Sequence, residues 1–233
     1  MMATTVPATR TWPLHRARYA TAHAPHASSP SMPELTLAAN RIKAAASLAA
    51  KQYMGLSDTL KGALSTHQIM QRKADGQTRD RFELFETAFR IQDAFQDHVK
   101  RVYCGPEGEH KRAPIKKWTR VYQKTNRAYG GQVARCKDIV RSTLVFPDVA
   151  SLLACLLRIE EDSANMVVLN IKNRMDPKYS DASGYRDVSL LLVGCALTDN
   201  LIVELQLNTA SMMAAKTGGG HARYVEARDS RGD

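Results

Sequence analysis

Apolar residues in the first hundred positions recur at helical spacing. Leu35, Ala38, Ile42, Ala45 and Ala49 stand three or four residues apart, which predicts a helix over 34–54. Gly55 breaks that run, and Ser57 is placed to cap a second helix with Leu60, Leu64, His67 and Met70 on one side. The tract KADGQT reads as a turn. From Arg79 to about Val102, a stripe of Leu84, Ala88, Ile91, Phe95, Val99 and Val102 predicts a long core-facing helix, flanked by Phe82, Phe85 and Phe89. The tract CGPEGEH ends it.

Beyond this point the spacing changes. A basic helical patch over 116–128 precedes DIVRSTLVF, which reads as a strand. A helix opened by Pro147 follows, then a strand in NMVVLNIKNR, a polar loop, strands in YRDVSLLLVG and LIVELQL, and a last helix from about Thr209. The order predicts an α+β fold: a small mixed β-sheet of about four to five strands with helices on one face, preceded by an α-helical region. The expected divisions are 1–33 as a basic tail, 34–104 as helices packed on the sheet domain, and 105–233 as that domain.

Composition narrows the function classes. The chain has 233 residues, 44% hydrophobic and 24% charged, an ordinary globular balance. Its net charge of +10 favours anionic partners such as nucleotides or RNA. The longest apolar run, around Val188 to Leu197, is too short to span a bilayer. None of the four cysteines forms a C-x-x-C pair, which argues against structural zinc and for reduced, mostly buried thiols. Residues 1–33 contain arginines, small residues and no acid, as in a mitochondrial or plastid transit peptide; a disordered basic tail on a cytoplasmic protein is the alternative.

Alternation places polar residues on one face of the predicted strands. Glu204 and Gln206 share a face with Ile202, opposite Val203, Leu205 and Leu207. Tyr185, Asp187 and Ser189 share a face, and Asp138 lies near the start of the first strand. An acid in a strand is costly when buried without a partner. Two partners are open: a salt bridge to Arg141, Arg174 or Arg186, or a divalent metal held by Asp138 and Glu204.

Several tracts carry a family resemblance. KDIVRSTLVF, IKNRM with GYRDVSLLL, and VELQLNTASM resemble, in order and spacing, tracts of the synthetase domain of RelA/SpoT-type enzymes. GGGHARY, its histidine two residues early, and IKKWTRVYQKT, without the donor motif's first arginine, are looser matches, and the resemblance covers about 111–228. The resemblance implies a nucleotidyltransferase-like sheet. It also implies transfer of pyrophosphate from ATP to the 3′-hydroxyl of GDP or GTP, with Mg²⁺ on Asp138 and Glu204. Glu204 is then the general base. Lys116, Lys117, Arg120, Lys124, Lys172 and Arg174 are candidates for the donor phosphates; Tyr185, Gln206 and His221 are candidates for the acceptor. The chain departs from the family where GYQS becomes GYRD and where Asn208 replaces an arginine. A relative that modifies tRNA or an adenosine nucleotide, and a degenerate module that binds nucleotide or RNA without chemistry, are the alternative readings.

Overall fold

The computed structural model describes residues 31–179 and 185–215. Helix α1 runs Met32–Tyr53, opened by a reciprocal cap in which the Ser31 N–H donates to Glu34 at 2.6 Å. Its buried stripe is Leu35, Ala38, Ala39, Ile42, Ala46 and Ala50. Over six turns the 3.6-residue period carries burial to Ala46 and Ala50 in place of the expected Ala45 and Ala49.

The helix expected from Ser57 to Met70 does not form; the stretch is a strap of turns. Gly55 and Gly62 lie in the left-handed region, with φ of +68° and +83°. Lysine side chains take carbonyls that a helix would need: Lys51 bonds Leu60 O at 2.6 Å, and Lys137 bonds Thr66 O at 2.8 Å and Ile69 O at 2.9 Å. Leu64 and Ile69 are still buried, in a small cluster with Tyr53, Leu191, Val193 and Ile202.

Helix α2, Arg81–His98, starts at Asp80, whose carboxylate accepts the N–H groups of Phe82 and Glu83. It continues as a wide π turn, Val99–Tyr103. That extra residue per turn rotates the stripe, so Tyr103 is fully buried where Val102 was expected. The Tyr103 hydroxyl donates to Asp162 at 2.6 Å.

The remaining elements are β1 (Glu109–Arg112), α3 (Trp118–Ala128), β2 (Arg141–Phe146), α4 (Val149–Glu161), β3 (Val167–Asn173), β4 (Val188–Val193), α5 (Cys195–Thr198), β5 (Val203–Thr209) and α6 (Ala210–Ala215). Asp148 rather than Pro147 caps α4, accepting the Ser151 N–H at 2.8 Å. The strands form one sheet in the order β1-β2-β5-β4-β3. Only the β2–β5 pairing is parallel; the other three are antiparallel. The fold is thus α+β with a five-stranded mixed sheet. Strand β1 carries Glu-His-Lys-Arg, with no apolar alternation to announce it.

The main core joins α1, α2 and α4 to one sheet face, through Leu35, Phe95, Leu156, Leu144, Leu190 and Leu205 among others. Gln71, in the strap, is fully buried. Its Nε2 donates to Cys136 O at 3.1 Å and Ile202 O at 3.0 Å, and its Oε1 accepts the Ile202 N–H at 2.8 Å. Gln71→Leu strands those three backbone groups in the interior and is expected to cost about 3 kcal/mol. A urea midpoint unchanged by the substitution would show that these bonds contribute nothing.

Candidate functional site

Across the sheet, paired residues share a face. Thr143, Gln206, Ser189 and Lys172 form one polar row over β2, β5, β4 and β3, and Arg141 and Glu204 form the next over β2 and β5. The opposite face carries Leu144, Leu205 and Leu190 into the core. Alternation therefore puts Glu204 on the face opposite that core, partly buried.

The Glu204 N–H donates to Val140 O at 3.0 Å, which places this acid beside the approach to β2. Two residues upstream of Val140 sits Asp138, outside the strand itself. Lys116 and Lys124 both bond Asp138 Oδ2, the latter at 3.0 Å, and the Cys136 thiol donates to Oδ1 at 3.2 Å. Burial would raise the Asp138 carboxyl, but the charges of Lys124 and Lys116 outweigh it and hold it well below the carboxylate range.

Glu204 behaves in the opposite sense. No cation pairs with it among the described residues; the Ser189 hydroxyl donates to it at 3.0 Å, and Gln206 gives a further hydrogen bond. Burial, and next the negative charge of Asp138, push its carboxyl above the usual glutamate range. The two acids thus feel each other through the crevice between β2 and β5. Lys172, one row away, also feels Glu204; desolvation of its ammonium and the charge of Arg174 lower it, and Glu204 acts against them.

The other predicted site residues are placed as follows. Lys116 and Lys117 precede α3, because the Lys116 N–H is bonded to Ile139 O at 3.0 Å and held extended. The expected three-residue row of Lys116, Arg120 and Lys124 along one helix is therefore corrected: only Arg120 and Lys124 are helical, and Lys116 reaches Asp138 from the preceding segment. Lys117 and Arg120 are exposed, and Arg120 donates to Gln123 at 3.2 Å. Arg174 bonds the fully buried Asp187, so its charge is matched within the protein. The Tyr185 hydroxyl is 3.0 Å from Asp187 Oδ2 and 3.1 Å from the Asn208 amide. The amide atom it meets is Oδ1, an acceptor like Asp187 Oδ2, so the single phenol proton can serve only one of the two oxygens at a time. This Tyr185–Asp187–Arg174 cluster lies at the far end of β5 from Glu204, roughly 13 Å along the strand at its usual rise. Its buried acid has the arginine partner that the salt-bridge reading expected. His221 lies outside the described residues.

Three further residues shape the site. Gln71 ties Cys136 and Ile202, each two residues before one of the acids, into one unit. Ser189 orients Glu204. Lys137, buried and lowered to about 8 first by its burial and then by Lys124, points away from the crevice into the strap's carbonyls. The alternation had put Ser189 on the polar face with Tyr185 and Asp187; nothing in the pattern flags a glutamine in a turn-rich tract.

No family model matches the chain, and no curated protein matches it. Solved structures do match. Small alarmone synthetase 1 from Bacillus subtilis, bound to its product pppGpp, superposes with a TM-score of 0.51 at 15% identity, over 63% of this chain and 81% of that one. Small alarmone synthetase 2 from the same organism gives 0.47 at 15%, over 64% and 82%. The complex between the type VI effector Tas1 and its immunity protein gives 0.45 at 19%, over 56% of this chain and 62% of that chain. The fold is that of the small alarmone synthetases, the class the motif order had pointed to. At this identity the likeness shows the fold alone.

The electrostatic link between the acids has a direct consequence. Asp138→Asn removes the charge that raises Glu204 and should move the Glu204 titration to lower pH, read by carbon-detected NMR of the side-chain carboxyl. An unmoved titration would mean that the two carboxyls do not sense each other.

Proposed function

We propose that the crevice between β2 and β5 transfers pyrophosphate from ATP to the 3′-hydroxyl of an acceptor nucleotide. The observation that carries this reading is the electrostatic coupling of Asp138 and Glu204 beside Lys116, Lys124 and Lys172. The fold likeness, and the product named for its Bacillus subtilis neighbour, support it. The donor set suits magnesium. Among the described residues there is no group of three or more His, Cys, Asp and Glu side chains to form a closed cage. Two carboxylates completed by phosphate oxygens and water is how Mg²⁺ is commonly held. Bound by Asp138 and Glu204, Mg²⁺ would screen the charge of the donor phosphates.

The chain's own residues have distinct tasks. Lys116 and Lys124 already stand at a carboxylate, and an incoming triphosphate competes with Asp138 for them. Lys172 is not ion-paired among the described residues and can meet the same phosphates. Glu204, raised above its ordinary range, is a stronger base than an exposed glutamate and takes the proton of the 3′-hydroxyl. The 3′-oxygen then bonds the β-phosphorus as the bond from that phosphorus to the AMP oxygen breaks. Gln206 holds Glu204 in place or orients the ribose. Tyr185, its hydroxyl anchored on Asp187 and Asn208, presents its ring to the acceptor base.

Labelled ATP, magnesium and a panel of GDP, GTP, adenosine nucleotides and tRNA test the reading. Transfer should rise with pH through the Glu204 pKa and stop when magnesium is chelated. Glu204→Gln should reduce it at least a hundredfold with an unchanged melting temperature. Transfer that survives this substitution would remove Glu204 from the mechanism. A second reading, a module that binds nucleotide without chemistry, is favoured by one observation: Lys116, Lys124 and Arg174 are already matched by carboxylates. Clean folding and ATP binding with no transfer to any acceptor would select it.

A further inference from the structure

The start of α2 and the outer side of α3 enclose a groove of about 380 Å³, lined by Arg81, Phe82, Trp118, Tyr122, Thr125 and neighbours. Trp118, Tyr122, Thr125 and Asn126 recur at four-, seven- and eight-residue offsets and so share one side of α3. Lys124, two residues from Tyr122 and about 200° around the helix, reaches Asp138. The groove therefore opens away from the crevice.

Its surface is aromatic and exposed: Phe82 is 71% exposed, Tyr122 56% and Trp118 39%. The Trp118 ring is braced, with Phe85 edge-on at 5.4 Å and the Arg81 guanidinium 5.8 Å from its centroid. The Tyr122 ring stands 6.4 Å from it, tilted by 42°. Beneath them, Thr125 is 4% exposed and its hydroxyl has no hydrogen-bond partner. A helical threonine ordinarily returns that bond to its own helix, and a buried hydroxyl left unpaired is costly. Asp80 also lines the groove, but its carboxylate is turned into the N–H groups of Phe82 and Glu83, at 2.8 and 2.9 Å. Around it, the stretch 110–137 contains nine lysines and arginines and no aspartate or glutamate. Four of these, Lys111, Arg112, Lys116 and Lys124, meet carboxylates, whereas Arg81 at the groove and Lys117 beside Trp118 are not ion-paired among the described residues. Rings next to such cations match a polymer that alternates flat bases with phosphates.

We propose that this groove binds single-stranded nucleic acid. An unpaired base stacks on Trp118 and Tyr122, its polar edge satisfies Thr125 Oγ1, and its phosphates lie along Arg81 and Lys117. The site is separate from the β2–β5 crevice and stands whether or not that crevice is catalytic.

Trp118 emission reports on it in the full chain carrying Trp12→Phe, with Glu204→Gln added to silence transfer. Titration with a short oligouridylate should quench the emission, and AMP should bind at least about tenfold more weakly. Affinity for the oligonucleotide should fall steeply as salt rises from about 50 to about 200 mM. Tyr122→Ala removes an exposed ring and Thr125→Val a hydroxyl; each should weaken binding about tenfold with unchanged circular dichroism. Quenching absent with both probes, equal affinity for AMP and oligonucleotide, or binding untouched by both substitutions would overturn the proposal. So would emission that shifts with protein concentration alone, because a second copy of the chain would then occupy the groove.

Discussion

The bond from the Glu204 N–H to Val140 O begins the parallel pairing of β2 and β5, and the rest of the crevice depends on that pairing. It brings the approach to one strand alongside the start of another, so an acid just before β2 and an acid just inside β5 share one space. Parallel neighbours cannot be joined by a tight turn, and here the connection passes through α4, β3 and β4. The alignment is held a second time from outside the sheet. Gln71 bonds backbone groups two residues before each acid, and a fully buried amide of this kind leaves little freedom for either segment to shift.

Around that alignment the charges divide unequally. Asp138 gathers two lysines and is held ionised; Glu204 keeps only neutral donors and is driven toward its protonated form. An arrangement in which both acids met cations would give two inert salt bridges. Here one carboxyl is matched and the other is left without a counter-ion among the described residues, in a space flanked by lysines. The third acid of this face, Asp187, shows the inert outcome: fully buried, bonded by Arg174 and Tyr185, and far along the strand from the other two.

Much of this was legible from pattern. The strand alternation of LIVELQL put Glu204 and Gln206 on one face and three aliphatics on the other, which is how they stand. The helices α1, α2 and α4 were visible as stripes, and helices on one sheet face followed from them. The strap at 57–70 was misread because Leu60, Leu64 and Met70 carry helical spacing, whereas KADGQT is the turn it was read as. Glycines with positive φ and two lysines that capture carbonyls override that spacing, and none of this is local to the apolar pattern. Strand β1 was missed because an edge strand of charged residues has no alternation to read. The lysine row failed for a similar reason: the Lys116 backbone is bonded to Ile139, more than twenty residues onward in the chain, and that bond holds Lys116 out of the helix, which starts only at Trp118.

What the sequence alone determined is the inventory: which residues face the core, which carry charge, and the order of helices and strands, because each follows from spacing within a few residues. The tertiary structure alone decided which charges meet. Whether a lysine finds a carboxylate or stays open to an anion depends on contacts between distant segments. Coulomb energy at a few ångströms, not spacing along the chain, separates Asp138 from Glu204 in character. Trp118, Tyr122 and Thr125 make the same point: their helical offsets predict a common side, but only the packing of α2 beside α3 leaves two rings open and a hydroxyl unpaired beneath them.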